Sequence, residues 1–237
     1  MGVKIKIKGN KETNEYKDAI ALKEIFEAEF RNGEINGEIL ILCNATLFGQ
    51  STKDIDLIAI GKFDNYRQKI KTKSKSSNGE LDQKMRTVFF NDFCFVFETK
   101  RHRATDIRLD GLTLSVKYNN KRSDVTTQSE NQKYALTNFF KDRINFSPYV
   151  CNFIWLRNVS WDSIKGLLGE NPEIHDKHNY LPVKFSVRFL LQLACIQSPP
   201  WTPKDRDTDE LKRYSSFNCL RRNKEFDFDE IDRIFDL

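Results

Sequence analysis

The stretch Phe93-Cys94-Phe95-Val96-Phe97-Glu98-Thr99-Lys100 limits this chain's possible folds more than any other. A short apolar run rich in Phe reads as a buried strand. It ends in a carboxylate, a spacer and an ammonium. Strand side chains alternate, so Glu98 and Lys100 point the same way. Two charges on one face of a buried strand cost free energy unless something needs them there. A second apolar strand, Ile55-Asp56-Leu57-Ile58-Ala59-Ile60, carries a carboxylate at a position where strands disfavour Asp. Alternation groups Asp54, Asp56, Ile58 and Ile60 on one face, with Asp54 the peripheral member. The pattern Asp…Glu-x-Lys reads as the site of a metal-dependent nuclease. The competing account is a buried ion pair of Lys100 with Glu98 or Asp56, although such pairs are poor stabilisers.

Phosphodiester hydrolysis requires a divalent cation, an activated water and charge neutralisation at phosphorus. Mg2+ or Mn2+ prefers carboxylate and carbonyl oxygens. Asp56 and Glu98 would supply the carboxylates from neighbouring strands, and the Thr99 carbonyl a further ligand. Lys100 would orient or deprotonate the attacking water and stabilise the developing charge.

Flanking helices add candidates. Thr13 or Asn14 caps a helix running to about residue 30, on which Ala19, Leu22, Phe26 and Phe30 form one stripe. Glu15 precedes Ala19 on that stripe. It completes the metal shell, directly or through water, or serves only as a first-turn carboxylate. A second helix spans about 127–143, with Leu136, Phe139, Phe140 and Arg143 on its inner side. Gln128 and Gln132 extend that stripe and would position substrate, water or Lys100, or else satisfy buried backbone groups.

Basic residues surround these elements. Arg101, His102, Lys121 and Arg122 are placed to meet phosphates. Residues 61–86 interrupt the apolar pattern with Arg67, Lys69, Lys71, Lys73 and Lys75 in alternation. This segment reads as a solvated loop or inserted hairpin tip, or as a phosphate-contacting arm near the site mouth through Lys71 and Lys73. Asn91-Asp92 reads as a tight turn and 119–124 as a polar turn. Strands are expected at 3–8, 38–44, 111–118 and 149–156. Helices are expected at 162–168, at 183–196 and in the acidic tail at 225–237, with a polar, Pro-containing arm at 201–210.

Several classes are disfavoured. The five cysteines are odd in number, widely spaced and contain no CxxC pair, so neither a zinc ribbon nor a disulfide framework is expected. A reduced, cytoplasmic setting follows. The N-terminus is too charged for a signal peptide, and no run approaches membrane-spanning length. Walker, dinucleotide and Ser or Cys nucleophile motifs are absent. The net charge of +5 is compatible with a polyanionic partner without demanding one. His175 and His178 have a spacing that can ligate metal, but their polar segment lacks a third ligand and reads as a surface loop.

Glu15 in a helix, Asp54-Ile55-Asp56 in a strand, Phe97-Glu98-Thr99-Lys100 in another and Gln128 opening a helix together resemble the PD-(D/E)xK nuclease superfamily. Within it, the chain resembles the nuclease-related domain (NERD) family. Gln128 and Leu136 stand at that family's spacing between a helix Gln and an apolar residue two turns later. The resemblance covers about residues 11–156. It implies an α/β, restriction-endonuclease-like mixed central sheet flanked by helices. It also implies Mg2+-dependent DNA cleavage and an association with helicase or other ATP-driven, DNA-processing partners. Two features depart from the family: the basic 61–86 insertion, and Val125-Thr126-Thr127 where a Pro often precedes the Gln. The second leaves Gln128 and Gln132 as alternatives, with Gln128 favoured. The expected organisation is a nuclease domain at 1–156 and a mainly helical extension at 157–237. The expected function is DNA hydrolysis in DNA processing or defence, with RNA as the alternative substrate. The alternative function is a catalytically silent nucleic-acid-binding or assembly module.

Overall fold

The Phe93–Phe97 run lies within a long strand at the heart of a mixed sheet. The structure is a computed structural model, and it describes residues 2–52, 54–75, 81–170, 177–200, 214–220 and 225–235. The side chains of 72–75, 81–84 and 214 lie outside that description, as do His175, the 76–80 tip and the 201–210 arm.

In chain order the first elements are β1 (Val3–Lys8), α1 (Asn14–Phe30), β2 (Asn36–Thr46), β3 (Asp54–Lys75) and β4 (Leu81–Lys100). A small antiparallel sheet follows: β5 (Ile107–Asp110), β6 (Thr113–Tyr118) and β7 (Lys121–Asp124). Then come α2 (Val125–Ile144), β8 (Val150–Leu156), α3 (Trp161–Leu168) and β9 (Tyr180–Leu181). The chain closes with α4 (Val187–Gln197), β10 (Tyr214–Phe217) and α5 (Phe228–Ile234). The central sheet runs β1-β2-β3-β4-β8-β9, with β10 added beside the outer part of β4. It combines parallel and antiparallel pairs, and helices cover both faces, so the fold is mixed α/β.

Local chemistry sets the helix starts. The Thr13 hydroxyl accepts from Tyr16 N–H at the start of α1. The Asp124 carboxylate accepts from Thr127 N–H, so α2 opens at Val125, before the expected residue 127. The Ser186 hydroxyl accepts from Phe189 N–H, which shortens the helix expected at 183–196 to Val187–Gln197. One sheet face packs Ile39, Ile41, Leu57, Ala59, Phe95 and Phe97 against α1 and α4. The other packs Leu40, Leu42, Ile58, Ile60, Cys94 and Val96 against α2 and the tail. Among the described residues, no helix is long and apolar enough to cross a membrane.

Two expectations are corrected. Of the two readings of residues 61–86, the hairpin holds and the loop does not: β3 and β4 pair as one long ladder through 61–75 and 81–86. Tyr66 and Ile70 face the core while Arg67, Lys69 and Lys71 face outward, an alternation that belongs to a half-covered strand. Asn91-Asp92 makes no turn but lies inside β4, opposite a bulge at Lys62–Tyr66 where Asn65 adopts φ 60°. Beyond residue 156 the described chain holds three helices, and two short strands, β9 and β10, join the central sheet. Its tail is held by Asp92, whose Oδ1 accepts from Cys219 N–H at 2.5 Å and Leu220 N–H at 2.9 Å. Ile231 and Phe235 bury against the α2 side, with the Phe235 ring 5.1 Å from that of Phe139.

Candidate active site

Strands β3 and β4 pair as far as Leu57 and Phe97, and there the ladder stops. β4 continues to Lys100 against β8 instead. The two strands therefore fork, and Asp56 bridges the fork. Its Oδ2 accepts from Thr99 N–H at 2.7 Å and from the Thr99 hydroxyl at 3.1 Å. Backbone N–H and C=O of one strand residue point the same way, so the Thr99 carbonyl also faces the β3 side. Opposite Asp56 in β2, between the pairs Cys43–Leu57 and Ala45–Ile55, Asn44 takes φ 54°. At this twist the strand exchanges faces: Leu57 packs on the α1 side and Ile55 on the α2 side. The expectation of one face shared by Asp54, Asp56, Ile58 and Ile60 fails here, and Asp54 is exposed.

Glu98 points toward α2 and is 1 % exposed. Its Oε2 accepts from Gln132 Nε2 at 2.6 Å, and its Oε1 is in direct contact with Lys100 Nζ. Lys100 Nζ also lies 3.4 Å from Gln128 Oε1. Both glutamines thus reach the site, Gln132 on the carboxylate and Gln128 on the ammonium. Burial and the negative charge of Asp56 push Glu98 up to about 7, against Lys100 and Gln132. Burial also raises Asp56, outweighing the Thr99 hydrogen bonds and the Lys100 charge, and Glu15 adds to the rise. For Lys100 burial acts downward, but Glu98 and the other negative groups prevail and hold it as an ammonium.

The opposite side of the fork holds a group that the sequence reading missed. Asp18 on α1 is fully buried, with its Oδ1 2.6 Å from Arg101 Nη2 and 2.7 Å from Arg157 Nε. Burial raises Asp18, while Arg157, Arg101 and Thr99 oppose the rise. The Arg157 guanidinium lies 4.0 Å from the Trp155 ring centre. Asp18 was visible in principle: with Ala19, Leu22, Phe26 and Phe30 it forms the buried stripe of α1, a charge among apolar neighbours.

The remaining predicted residues divide. Glu15 is half-buried and acts on Asp56 through its charge, without a hydrogen bond or ion pair among the described residues. Arg101 is committed to Asp18 and to the Asn14 carbonyl at 3.2 Å. His102 packs edge-on to Tyr118, and burial and Lys100 lower its pKa. Lys121 and Arg122 are exposed on β7, where Arg122 donates to the Asp106 carbonyl at 3.3 Å. Lys71 and Lys73 lie in the outer hairpin, paired with Met85 and Gln83, whereas the fork begins beyond the Leu57–Phe97 pair at the other end of the same ladder. They are therefore not at the site mouth. His178 is buried rather than on a surface loop, and its Nδ1 accepts from Tyr180 N–H at 3.3 Å.

Four buried polar atoms lack hydrogen-bond partners among the described residues: Asp18 Oδ2, His102 Nδ1, Gln132 Oε1 and Arg157 Nε. Arg157 Nε is at ion-pair distance from Asp18 but out of hydrogen-bonding line. A buried polar atom left without a partner costs about 1–3 kcal/mol, a cost that the ion pair with Asp18 offsets for Arg157 Nε. All four belong to residues on, or in contact with, the end of β4 and its continuation. The surrounding donors are oxygens, from Asp56, Glu98 and the orphaned Gln132 Oε1, a set that suits a hard cation. No group of three or more His, Cys, Asp or Glu among the described residues forms a ready metal cage. Comparison with protein-family models, curated proteins and solved structures finds no match.

Proposed function

We propose that this chain is a metal-dependent nuclease with a restriction-endonuclease-like fold, hydrolysing DNA phosphodiester bonds at the β3–β4 fork. The observation that carries the reading is the convergence of Asp56, Glu98 and Lys100, with Gln128 and Gln132, where the β3–β4 ladder ends. The Gln132 Oε1 atom, buried beside Glu98 without a hydrogen-bond partner among the described residues, supports it. Asp56, Glu98 and the Thr99 carbonyl would hold Mg2+ or Mn2+, with Glu15 adding negative charge from α1. A bound cation supplies Lewis-acid polarisation of the phosphoryl oxygen and acidifies a water. Lys100, released from Glu98, orients that water and neutralises charge developing on the phosphate oxygens. Gln128 steadies the ammonium and Gln132 fixes the Glu98 carboxylate. Arg101 and Arg157 stiffen the fork through Asp18.

The direct Lys100–Glu98 contact favours a second reading. In it the ion pair closes the site, and the chain binds nucleic acid without cutting it. Titration calorimetry with Mn2+ separates the two. The nuclease reading predicts Mn2+ uptake by the wild type, weakened at least tenfold in Asp56→Asn and in Glu98→Gln. A wild type that takes up no Mn2+ supports the closed, binding-only module.

A further inference from the structure

The outer β3–β4 hairpin presents a row of cations that the candidate site does not use. Arg67, Lys69 and Lys71 are all exposed, on alternate residues of β3. Their neighbours Tyr66 and Ile70 are buried in the core on the α1 and α4 side. Gln68 turns to the same side, where its Nε2 donates to Glu29 at 2.7 Å. By alternation the cations face the opposite side of the sheet, the side toward which Glu98 and Lys100 also point. The row is held in place: Lys71 N–H donates to Gln192 Oε1 on α4 at 3.0 Å, and Gln192 Nε2 returns a bond to the Lys71 carbonyl. Across the ladder Arg67, Lys69 and Lys71 stand opposite Phe89, Thr87 and Met85, none of them acidic. The preceding carboxylate on β3, Asp64, lies at the bulge. Glu29, which carries the Tyr66 hydroxyl and Gln68, is on the covered side.

We infer that this ribbon binds duplex DNA at a distance from the cutting site. Cations on alternate strand residues recur about every 6.6–6.8 Å. A DNA strand carries one phosphate per roughly 3.4 Å of helix axis, so a row of this length spans several phosphates. At Arg67 and Lys69 the sheet is three strands wide, because β10 flanks β4 there, so the row meets the phosphate backbone from outside the grooves. Arg67 and Lys71 lie at most roughly 35 and 50 Å along β3 from Asp56. One duplex spanning both places needs on the order of 10–15 base pairs. The inference deepens the nuclease reading by giving its substrate a second anchor, yet binding at the ribbon does not require cutting.

The test is fluorescence anisotropy of a labelled 30-base-pair duplex in EDTA across a salt series. It compares the full wild-type chain with the triple variant Arg67→Gln, Lys69→Gln, Lys71→Gln. At 0.1 M salt the triple variant should bind at least tenfold more weakly. Its log–log salt slope should be shallower by roughly 2.7, about 0.9 per lost phosphate contact. Should the triple variant melt below the wild type, the three single variants carry the same test, each shallower by about 0.9. Unchanged affinity and slope overturn the inference. So does wild-type binding to phosphatidylserine vesicles without binding to the duplex. DNA binding that depends on the ribbon, in a chain that never cuts, would sink the nuclease reading and keep the ribbon. Metal-dependent cutting with an unchanged salt slope would do the reverse.

Discussion

Glu98 is a carboxylate held almost out of solvent between the Lys100 ammonium and the Gln132 amide. Burial and Asp56 push it from 4.5 up to about 7. Between those values the folded chain keeps a proton that the unfolded chain has released. The Glu98 contribution to stability is therefore full below about 4.5, falls as pH rises toward 7, and is flat above. Denaturant midpoints at pH 5, 6, 7 and 8 should show this fall in the wild type and lose about 2 kcal/mol of it in Glu98→Gln. A variant that keeps the wild-type profile contradicts the assignment. The sequence betrayed Glu98, Lys100 and Asp56 because charges inside apolar strands are conspicuous. It did not betray the Asp18–Arg101–Arg157 cluster as readily. Asp18 sits in a helix where acidic residues are ordinary, and its partners come from strand ends distant in sequence.

At the scale of elements, β4 is one strand that serves two neighbourhoods. Its inner half pairs with β3 and β8, and its outer half with β3 and β10. The apolar half was legible because a run such as Phe93–Phe97 leaves few alternatives. The outer half was not. Lysines and serines at alternate positions have the composition of a loop, and only the burial of Tyr66, Ile70, Val88 and Phe90 shows that they belong to a strand. Gly61 marks the join: a Cβ there would lie 2.1 Å from the Phe93 ring across the ladder. The tail depends on Asp92 in a similar way, since that carboxylate takes two backbone N–H groups from the segment after β10. Asp92→Ala leaves both donors without that acceptor, at a cost of about 1–3 kcal/mol. Limited proteolysis should then release C-terminal fragments several-fold faster than from the wild type, with the core intact. An unchanged digestion rate would show that the tail is held by its apolar contacts alone.

Over the whole molecule, the two sheet faces have different roles. The α1 and α4 face carries most of the aromatic core and, through Asp18, braces the fork. The α2 and α5 face supplies both site glutamines and carries the tail. The mixed α/β architecture was readable from strands alternating with amphipathic helices. The return of the chain beyond residue 156 to the same sheet was not, because β9 and β10 are too short to leave a periodic signal. The role proposed for the fork turns on whether it cuts DNA. The most direct measurement is cleavage of supercoiled, linear and single-stranded DNA with Mg2+, Mn2+ or EDTA, using the wild type, Glu98→Ala and Lys100→Ala. A nuclease site at the fork gives cation-dependent cutting by the wild type, reduced at least a hundredfold in each variant. Cutting that survives both substitutions, or that persists in EDTA, would contradict it.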